Sequence, residues 1–277
     1  MDARLTDERR SVAERYGERW SAGAAVRAER FAELSRPAWL AVAAAVGVGR
    51  GSRVLDVACG SGEFGRVAAD RGAGVAGIDA AAGMIELARR LVPEADLRVG
   101  TLEQLPWADQ TFDVVTGFNA FQFAPDLPAA LAEAVRVCRP GGRVAICNWG
   151  PAADCDLVTI VRALEHLQPG PTLVPRRPLG EPGVLEELAR GAGLRPGRAG
   201  LVRVPYRAPE PATLTRDVLS AGNARPAVEH SGRDVVGRAL VEAAAPFRRA
   251  ADGSSLLCNT VRYLICHVPP APWGAGT

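Results

Sequence analysis

The chain has 277 residues, a formal net charge of +2 and 48% hydrophobic residues. This length allows one elaborated domain with a sizeable core, and the near-neutral charge gives no sign of a polyanion-binding surface. All 33 basic residues are arginine. The sequence therefore excludes lysine-anchored pyridoxal chemistry and a phosphate-binding P-loop, because each of them requires a lysine.

Helices are predicted from about Thr6 to Val48, with Pro37 interrupting them. From Arg53 the pattern changes to short apolar strands that alternate with helices. The predicted strands are "RVLDVA", "GVAGID", "DLRVGT", "TFDVVTGF" and "GGRVAICNW". Because parallel strands need crossover connections and are buried on both faces, this pattern predicts an α/β fold with a doubly wound, Rossmann-like, mostly parallel sheet.

After Trp149 the alternation loosens. "DCDLVTIVRALEHLQPG" predicts an amphipathic helix, and "LVRVPYRA" and "SLLCNTVRYLICHV" predict a late strand pair. The sheet is thus expected to have seven strands with an antiparallel last strand, flanked by N-terminal helices and a helical cap. One domain is expected over residues 1–268, followed by a disordered tail at 269–277. Its parts are an N-terminal helical cap at 1–50, a cofactor-binding core at 51–150, and a substrate cap with the late strands at 151–256.

The N-terminus and the cysteines favour a cytoplasmic enzyme. The N-terminus is charged and helical, and the early apolar run "AWLAVAAAVGVG" is too short to span a membrane. The six cysteines form no C-x-x-C pair, and no histidine lies at metal-ligand spacing from them. We therefore expect neither a disulfide framework nor a metal site. Cys147, Cys258 and Cys266 are expected to lie in strands.

The stretch "VLDVACGSGEFG" contains the glycine spacing of a strand-to-helix turn that binds a nucleotide cofactor. Asp56 lies four residues before Gly60, and its carboxylate suits a cationic ligand and would repel a pyrophosphate. Capping of the turn is the alternative role for Asp56. Asp79 ends the second strand, where a carboxylate can bind a ribose diol or cap the following helix. The role of Asp79 does not distinguish the cofactors, because sites for nicotinamide dinucleotides share it.

Four segments in order make the chain resemble the class I S-adenosylmethionine-dependent methyltransferases, in particular the ubiquinone-biosynthesis-like small-molecule group. They are "VLDVACGSGEFG", "GIDAAAGMIELAR", "TLEQLPWADQTFDVVTGFNAFQF" and "RPGGRVAICNW". The resemblance covers Val54 to Trp149 closely and the later segments more loosely. It implies S-adenosylmethionine as the cofactor and S-adenosylhomocysteine as the product.

The resemblance also implies site residues. The expected cofactor contacts are Asp56, Ala58, Cys59, Gly60, Ser61, Gly62, Asp79, Ala80, Met84, Thr101, Leu102, Glu103 and Asn119. Asp56 would lie near the ammonium group and Asp79 would bind the ribose. Thr101 departs from the family, which commonly has an acid there to accept a hydrogen bond from the adenine amino group.

The sequence gives fewer indications of which residues contact the methyl acceptor than of which contact the cofactor. Phe121, Gln122, Trp149 and His166 are the candidate substrate contacts, and Asn119 and His166 are the candidate catalytic residues, with His166 as a general base. A surface position is the alternative for His166, and a core position is the alternative for Trp149. Among Phe118, Phe121 and Phe123, some are expected in the core and the others facing substrate. Tyr16, Trp20 and Trp39 are core candidates in helices that close over the cofactor in this family.

The predicted reaction is transfer of a methyl group to an oxygen, nitrogen or carbon of a small molecule, in bacterial secondary metabolism. Neither a nucleic acid nor a membrane is an expected partner, and the chain is expected to be a monomer or a homodimer. A base-methylating enzyme would show an N-P-P-Y-like motif where this chain has "NAFQF". Three alternatives stay open: a fold relative that uses the bound cofactor without consuming it, for cyclisation or rearrangement; a non-enzymatic cofactor-binding protein; and a dehydrogenase, which Asp56 disfavours.

Overall fold

The computed structural model describes residues 12–168, 178–222, 224–249 and 251–270. The strands are β1 (Arg53–Val57), β2 (Gly74–Asp79), β3 (Asp96–Val99), β4 (Phe112–Phe118), β5 (Cys138–Trp149), β6 (Arg195–Arg203), β7 (Tyr206–Ala208), β8 (Ser255–Leu257) and β9 (Thr260–His267). The helices are α1 (Val12–Ser21), α2 (Ala24–Ala45), α3 (Glu63–Ala69), α4 (Ala82–Leu91), α5 (Leu127–Val137), α6 (Asp156–Arg162), α7 (Val184–Gly191), α8 (Pro211–Leu219), α9 (Arg225–Ser231) and α10 (Arg233–Ala243).

The main sheet has seven strands in the order β3-β2-β1-β4-β5-β9-β6. Strands β1 to β5 pair in parallel, and β9 runs antiparallel to both of its neighbours. Strands β7 and β8 form a separate antiparallel pair. The predicted doubly wound, mostly parallel seven-stranded sheet with an antiparallel strand is therefore confirmed.

Alternate residues of β1 point into two separate cores, which explains the continuous apolar run in the sequence. Val54 belongs to the core under α2, α3 and the cap helices, and Leu55 belongs to the core under α5 and α7. Both side chains are fully buried. The helices thus cover both faces of the sheet, and the carboxyl ends of the parallel strands are the edge where a site can form.

Two predictions for the second half of the chain need correction. Of the helix predicted over 154–170, the residues up to 168 are described, and among these the α-helix is confined to α6, after which a 3₁₀ turn spans Glu165–Leu167. The late apolar run is divided into β8 and β9, and Cys258 lies exposed between them. The run breaks there because two of its residues bond to α6 instead of to a strand. The Asp156 carboxylate accepts from the Cys258 N–H at 2.6 Å, and the Asn259 side-chain oxygen accepts from the Leu157 N–H at 2.9 Å.

Some predicted features lie wholly or partly outside the described residues. They are the helix start near Thr6, residues 169–177 and most of the tail. Along the part of the chain that the structure describes, none of the helices combines the length and apolarity needed to cross a bilayer. Within the same residues, histidine, cysteine and acidic side chains form no group that could hold a metal ion.

Candidate active site

A cavity opens beyond the carboxyl ends of β1, β2, β3 and β4, and α1 closes one side of it. This is the edge at which doubly wound sheets bind their ligands. The cavity is lined by Tyr16, Gly17, Trp20, Ala58, Gly60, Asp79, Ala80, Met84, Gly100, Thr101, Leu102, Glu103, Phe118, Asn119, Ala120, Phe123, Ala124 and Pro125. Nine of the thirteen predicted cofactor contacts are in this set.

The turn between β1 and α3 brings backbone rather than side chains to the cavity. Gly60 and Gly62 have φ angles of 56° and 90°, in the left-handed region that favours glycine. A Cβ placed on Gly60 would meet nothing within 4 Å, so the space beside this residue is open. A Cβ on Gly62 would lie 3.0 Å from the Cβ of Ala88, because the turn rests directly on α4.

Three described residues other than glycine have a left-handed backbone, and two of them line the cavity. Ala58 ends β1 with a φ of 52°, and Asn119 follows β4 with a φ of 50°. Such conformations destabilise a chain by about 1–3 kcal/mol each and persist where the surrounding structure fixes them. At Asn119 two hydrogen bonds fix the conformation. Its N–H donates to the Cys147 carbonyl oxygen, and its side-chain oxygen accepts from the Trp149 N–H at 2.9 Å.

Asp79 joins the two loops that border the cavity. Its Oδ2 accepts from the Gly60 N–H at 2.9 Å, and its Oδ1 accepts from the Ala81 N–H at 2.8 Å. The carboxylate thus accepts from two backbone N–H groups, one in the glycine turn and one just before α4, and it also lines the cavity. The sequence suggested a helix cap and a ribose-binding carboxylate as roles for Asp79. The cap position of α4 is held by Ala81 with no side-chain capping bond, so the capping role is not found, and the ribose contact stays a prediction.

Asp56 lies behind the glycine turn and is 3% exposed. Its Oδ1 accepts from the Thr116 hydroxyl at 2.7 Å. The pKa of Asp56 is raised from 3.8 to about 8, chiefly by burial and to a smaller extent by the nearby charges of Asp79 and Glu63, against the lowering effect of the hydrogen bond from Thr116. Asp56 is not on the cavity wall, so its contact with a cofactor ammonium stays a prediction.

The charged groups on the cavity wall are carboxylates. Asp79 and Glu103 line it, whereas none of its described lining residues is arginine or histidine. Glu103 also accepts from the Asp126 N–H, at 3.4 Å. The neutral Thr101 lies in the same stretch of wall, so Glu103 places an acid close to the position where the family commonly has one. This arrangement favours a cation and disfavours a pyrophosphate.

Aromatic side chains form the rest of the wall. The Phe123 ring lies 5.7 Å from the Tyr16 ring and 5.6 Å from the Trp20 ring, measured between centroids. Phe118 packs against the buried Phe64 at 4.8 Å. Phe123 and Gly17 are the main wall residues that sequence reasoning left undecided or missed. The alternating phenylalanines after β4 signalled an aromatic wall without showing which ring faces it.

Four predicted cofactor contacts do not reach the wall, namely Asp56 and three members of the glycine turn. Cys59 is 7% exposed and packs with Ile85 and Leu97. Ser61 is buried, and its hydroxyl donates to Glu63. Gly62 faces α4. These residues shape the turn from behind, so their contribution to the cavity is through the backbone.

The predicted acceptor residues are more scattered. Phe121 is 2% exposed and lies in the core beneath Gly117, where a Cβ would approach its ring to 2.7 Å. Gln122 is half-buried, with its amide 3.5 Å from the Asn119 carbonyl. Trp149 is half-buried against the core under α2. His166 lies exposed in the 3₁₀ turn and is not on the wall of this cavity. The structure therefore brings only Asn119 of this group to the cavity.

Comparisons with known proteins agree with the fold. Residues 55–146 match a family model described as a methyltransferase domain. Over 161 residues the chain is 34% identical to demethylmenaquinone methyltransferase of Mycobacterium sp. (strain KMS), covering 58% of this chain and 68% of that protein. The chain belongs to the class I S-adenosylmethionine-dependent methyltransferases.

Other similarities are shorter or concern the fold alone. An uncharacterized protein of Mycobacterium tuberculosis is 38% identical over 121 residues, and the match spans 42% of this chain and 44% of that relative. The chain thus spans less than half the length of the first curated relatives that it matches. A solved complex between the Haloferax volcanii Trm112 methyltransferase activator and a methyltransferase superposes with a TM-score of 0.59 at 23% identity, covering 94% of this chain and 98% of the matched chain.

Proposed function

We propose that the chain binds S-adenosylmethionine and transfers its methyl group to an oxygen, nitrogen or carbon of a small molecule, in bacterial secondary metabolism. The observation that carries this proposal is the charge of the cavity. Two carboxylates line it, and no arginine or histidine is among its described lining residues. A sulfonium cofactor with an ammonium group fits these charges, whereas a dinucleotide pyrophosphate does not.

Each part of the wall has a proposed role toward this cofactor. Asp79 would accept hydrogen bonds from the ribose hydroxyls. Leu102 and Glu103 would border the adenine, with Met84 packed beside it. The open space at Gly60 would take the amino-acid part. The ammonium group would lower the pKa of Asp56 from its ligand-free value of about 8, and the deprotonated carboxylate would balance its charge from behind. The residues present therefore fit the cofactor that the family implies.

The main contribution of this site to the reaction would be to position the acceptor in line with the methyl group. When bound, the cofactor supplies a methyl group on a sulfonium with a neutral leaving group. Holding an acceptor in line is worth about 7–11 kcal/mol of the barrier, and a general base adds roughly 10²–10⁴-fold where the acceptor is a hydroxyl. Since the described wall holds no histidine, a base would have to come from the acceptor side, where His166 is the candidate. Asn119, fixed at the end of β4, would lie near the transferred methyl.

Turnover tests the proposal. The protein is incubated with S-adenosylmethionine labelled in its methyl group and with a panel of acceptors. A quinone-type ring is the first to try, because one relative is a demethylmenaquinone methyltransferase. We expect a labelled product and one S-adenosylhomocysteine per product. Product formation without S-adenosylhomocysteine would instead support cyclisation or rearrangement around an unconsumed cofactor. A protein that binds the cofactor and acts on none of the panel would favour the non-enzymatic alternative.

A further inference from the structure

Helix α1 lies between the cofactor-binding core and the cap, and it is packed so closely against both that several glycines at the contacts have no room for a side chain. On the core side, a Cβ at Gly17 would lie 2.2 Å from the carbonyl oxygen of Ala80, which lines the cavity. On the same side, the Gly83 N–H donates to the Ser21 hydroxyl at 3.2 Å. The inner side of α1 is thus seated on the loop that follows β2.

The other side of α1 meets the segment after α8. A Cβ at Gly23 would lie 1.9 Å from the Ser220 carbonyl oxygen, and a Cβ at Gly222 would lie 2.9 Å from the indole ring of Trp20. No real Cβ contact is this close, so an added methyl group would force one partner to move. At Gly222 the partner is the indole ring of Trp20, which also packs against Phe123.

Trp20 therefore belongs to two surfaces at once. Its indole lines the cofactor cavity and packs with Met84, and its ring also lies against Gly222. Gly222 lies more than 70 residues beyond the last predicted cofactor-binding motif and is not on the cavity wall. Its backbone nevertheless lies directly against the indole, with no room for a side chain between them.

We propose that Gly222 is a positioning residue for the cofactor site, which acts through Trp20 and couples the cap to cofactor binding. The inference rests on the proposed function, because the ligand whose affinity reports the coupling is the cofactor product. A cofactor that holds Trp20 in place would also hold the 211–222 segment, and a displaced segment would weaken cofactor binding. By linkage the two effects are reciprocal.

The test is a double-mutant cycle read by calorimetry with S-adenosylhomocysteine. Gly222→Ala is expected to weaken binding roughly tenfold, because overpacking moves the indole. Gly237→Ala, in the cap helix α10, is the matched control, since a Cβ there meets only the Thr215 methyl group at 3.6 Å. It should leave the affinity unchanged. In a Trp20→Ala background the added methyl has room, so Gly222→Ala should have no further effect on affinity.

Three results would decide against the inference. Gly222→Ala could bind as tightly as the unaltered protein, or it could weaken binding equally with and without Trp20. If Gly222→Ala fails to fold, the Trp20→Ala/Gly222→Ala protein must still fold and bind like Trp20→Ala alone; if it does not, Gly222 does not act through the indole. Hydrogen exchange gives a second readout, in which S-adenosylhomocysteine should slow exchange across 211–222. Failure of the unaltered protein to bind this ligand would overturn the proposed function itself.

Discussion

The carboxylate of Asp79 accepts a hydrogen bond from the Gly60 N–H at 2.9 Å and thereby joins the end of β2 to the turn that follows β1. The same side chain faces the cavity. One residue therefore sets the shape of the glycine turn and supplies a charge to the ligand.

Replacement of the Asp79 carboxylate should weaken the binding of S-adenosylhomocysteine. Asp79→Asn keeps the size of the side chain and one acceptor oxygen but removes the charge. We expect the affinity for S-adenosylhomocysteine to fall by about tenfold to a hundredfold, because hydrogen bonds to a charged acceptor are worth about 1.5–3 kcal/mol. Asp70→Asn is the control, since that exposed carboxylate pairs only with Arg66 among the described residues. Equal affinities for the two variants would contradict the proposed role of Asp79.

Asp56 should make the ligand-free protein less stable as the pH rises. Its folded pKa of about 8 lies above the ordinary value of 3.8, so the folded state binds more protons than the unfolded state between these values. Stability is then lost as the pH rises through this window, by up to a few kcal/mol. Asp56→Asn should remove this loss, and denaturant unfolding at pH 5 and pH 8 measures it. If both proteins show the same change between the two pH values, the assignment is wrong.

The same variant separates stability from binding. Asp56→Asn should be more stable than the unaltered protein at pH 8, yet it should bind the cofactor product less tightly, because the ammonium loses its counter-charge. Calorimetry at pH 8 measures the second effect. A variant that is stabilised and binds normally would show that Asp56 has no role toward the ligand.

Gly62 should be intolerant of a side chain for two reasons. Gly62→Ala requires a left-handed alanine, which is destabilising by about 1–2 kcal/mol, and it brings a methyl group to 3.0 Å from the Cβ of Ala88. Gly141→Ala has a similar φ, 76°, but open space around the Cβ. We therefore expect Gly62→Ala to lower the free energy of unfolding by about 1–3 kcal/mol more than Gly141→Ala does. Similar losses would mean that the turn does not rest tightly on α4.

The buried ion pair between Arg262 and Glu186 should stabilise the fold without contributing to the cavity. Arg262 is 7% exposed, and its guanidinium donates to Glu186 at 2.5 Å. Glu186→Ala leaves the arginine buried and should lower the free energy of unfolding by about 3–5 kcal/mol. Glu229→Ala breaks the exposed pair with Arg225 and should lower it by at most about 1 kcal/mol. Denaturant unfolding compares them, and equal losses would contradict the difference in burial.

The sequence predicted the parts of the site that follow from local rules. A strand, a glycine turn and a helix determine where Gly60 lies, and the end of the next parallel strand determines where Asp79 lies. Both positions are confirmed in the structure. Fold class was predictable for the same reason, since alternating strands and helices allow few topologies.

The features that the sequence did not predict depend on contacts between segments that are distant in the chain. Phe121 and Phe123 are two residues apart in one 3₁₀ turn, and only the packing of α1 decides that Phe123 faces the cavity. Gly17 gave no signal, because its requirement comes from the Ala80 carbonyl oxygen 2.2 Å from a Cβ position. The break at Cys258 likewise arises from hydrogen bonds to α6, more than 100 residues earlier in the chain. Local periodicity does not contain this information.

Calorimetric titration with two ligands distinguishes a sulfonium nucleoside from a dinucleotide as the ligand of the carboxylate-lined cavity at the strand ends. S-adenosylmethionine and NADH are titrated separately into the unaltered protein at pH 8. We predict saturable binding of S-adenosylmethionine, weakened in Asp79→Asn, and no binding of NADH at the same concentrations. Saturable binding of NADH with no response to S-adenosylmethionine would contradict the account.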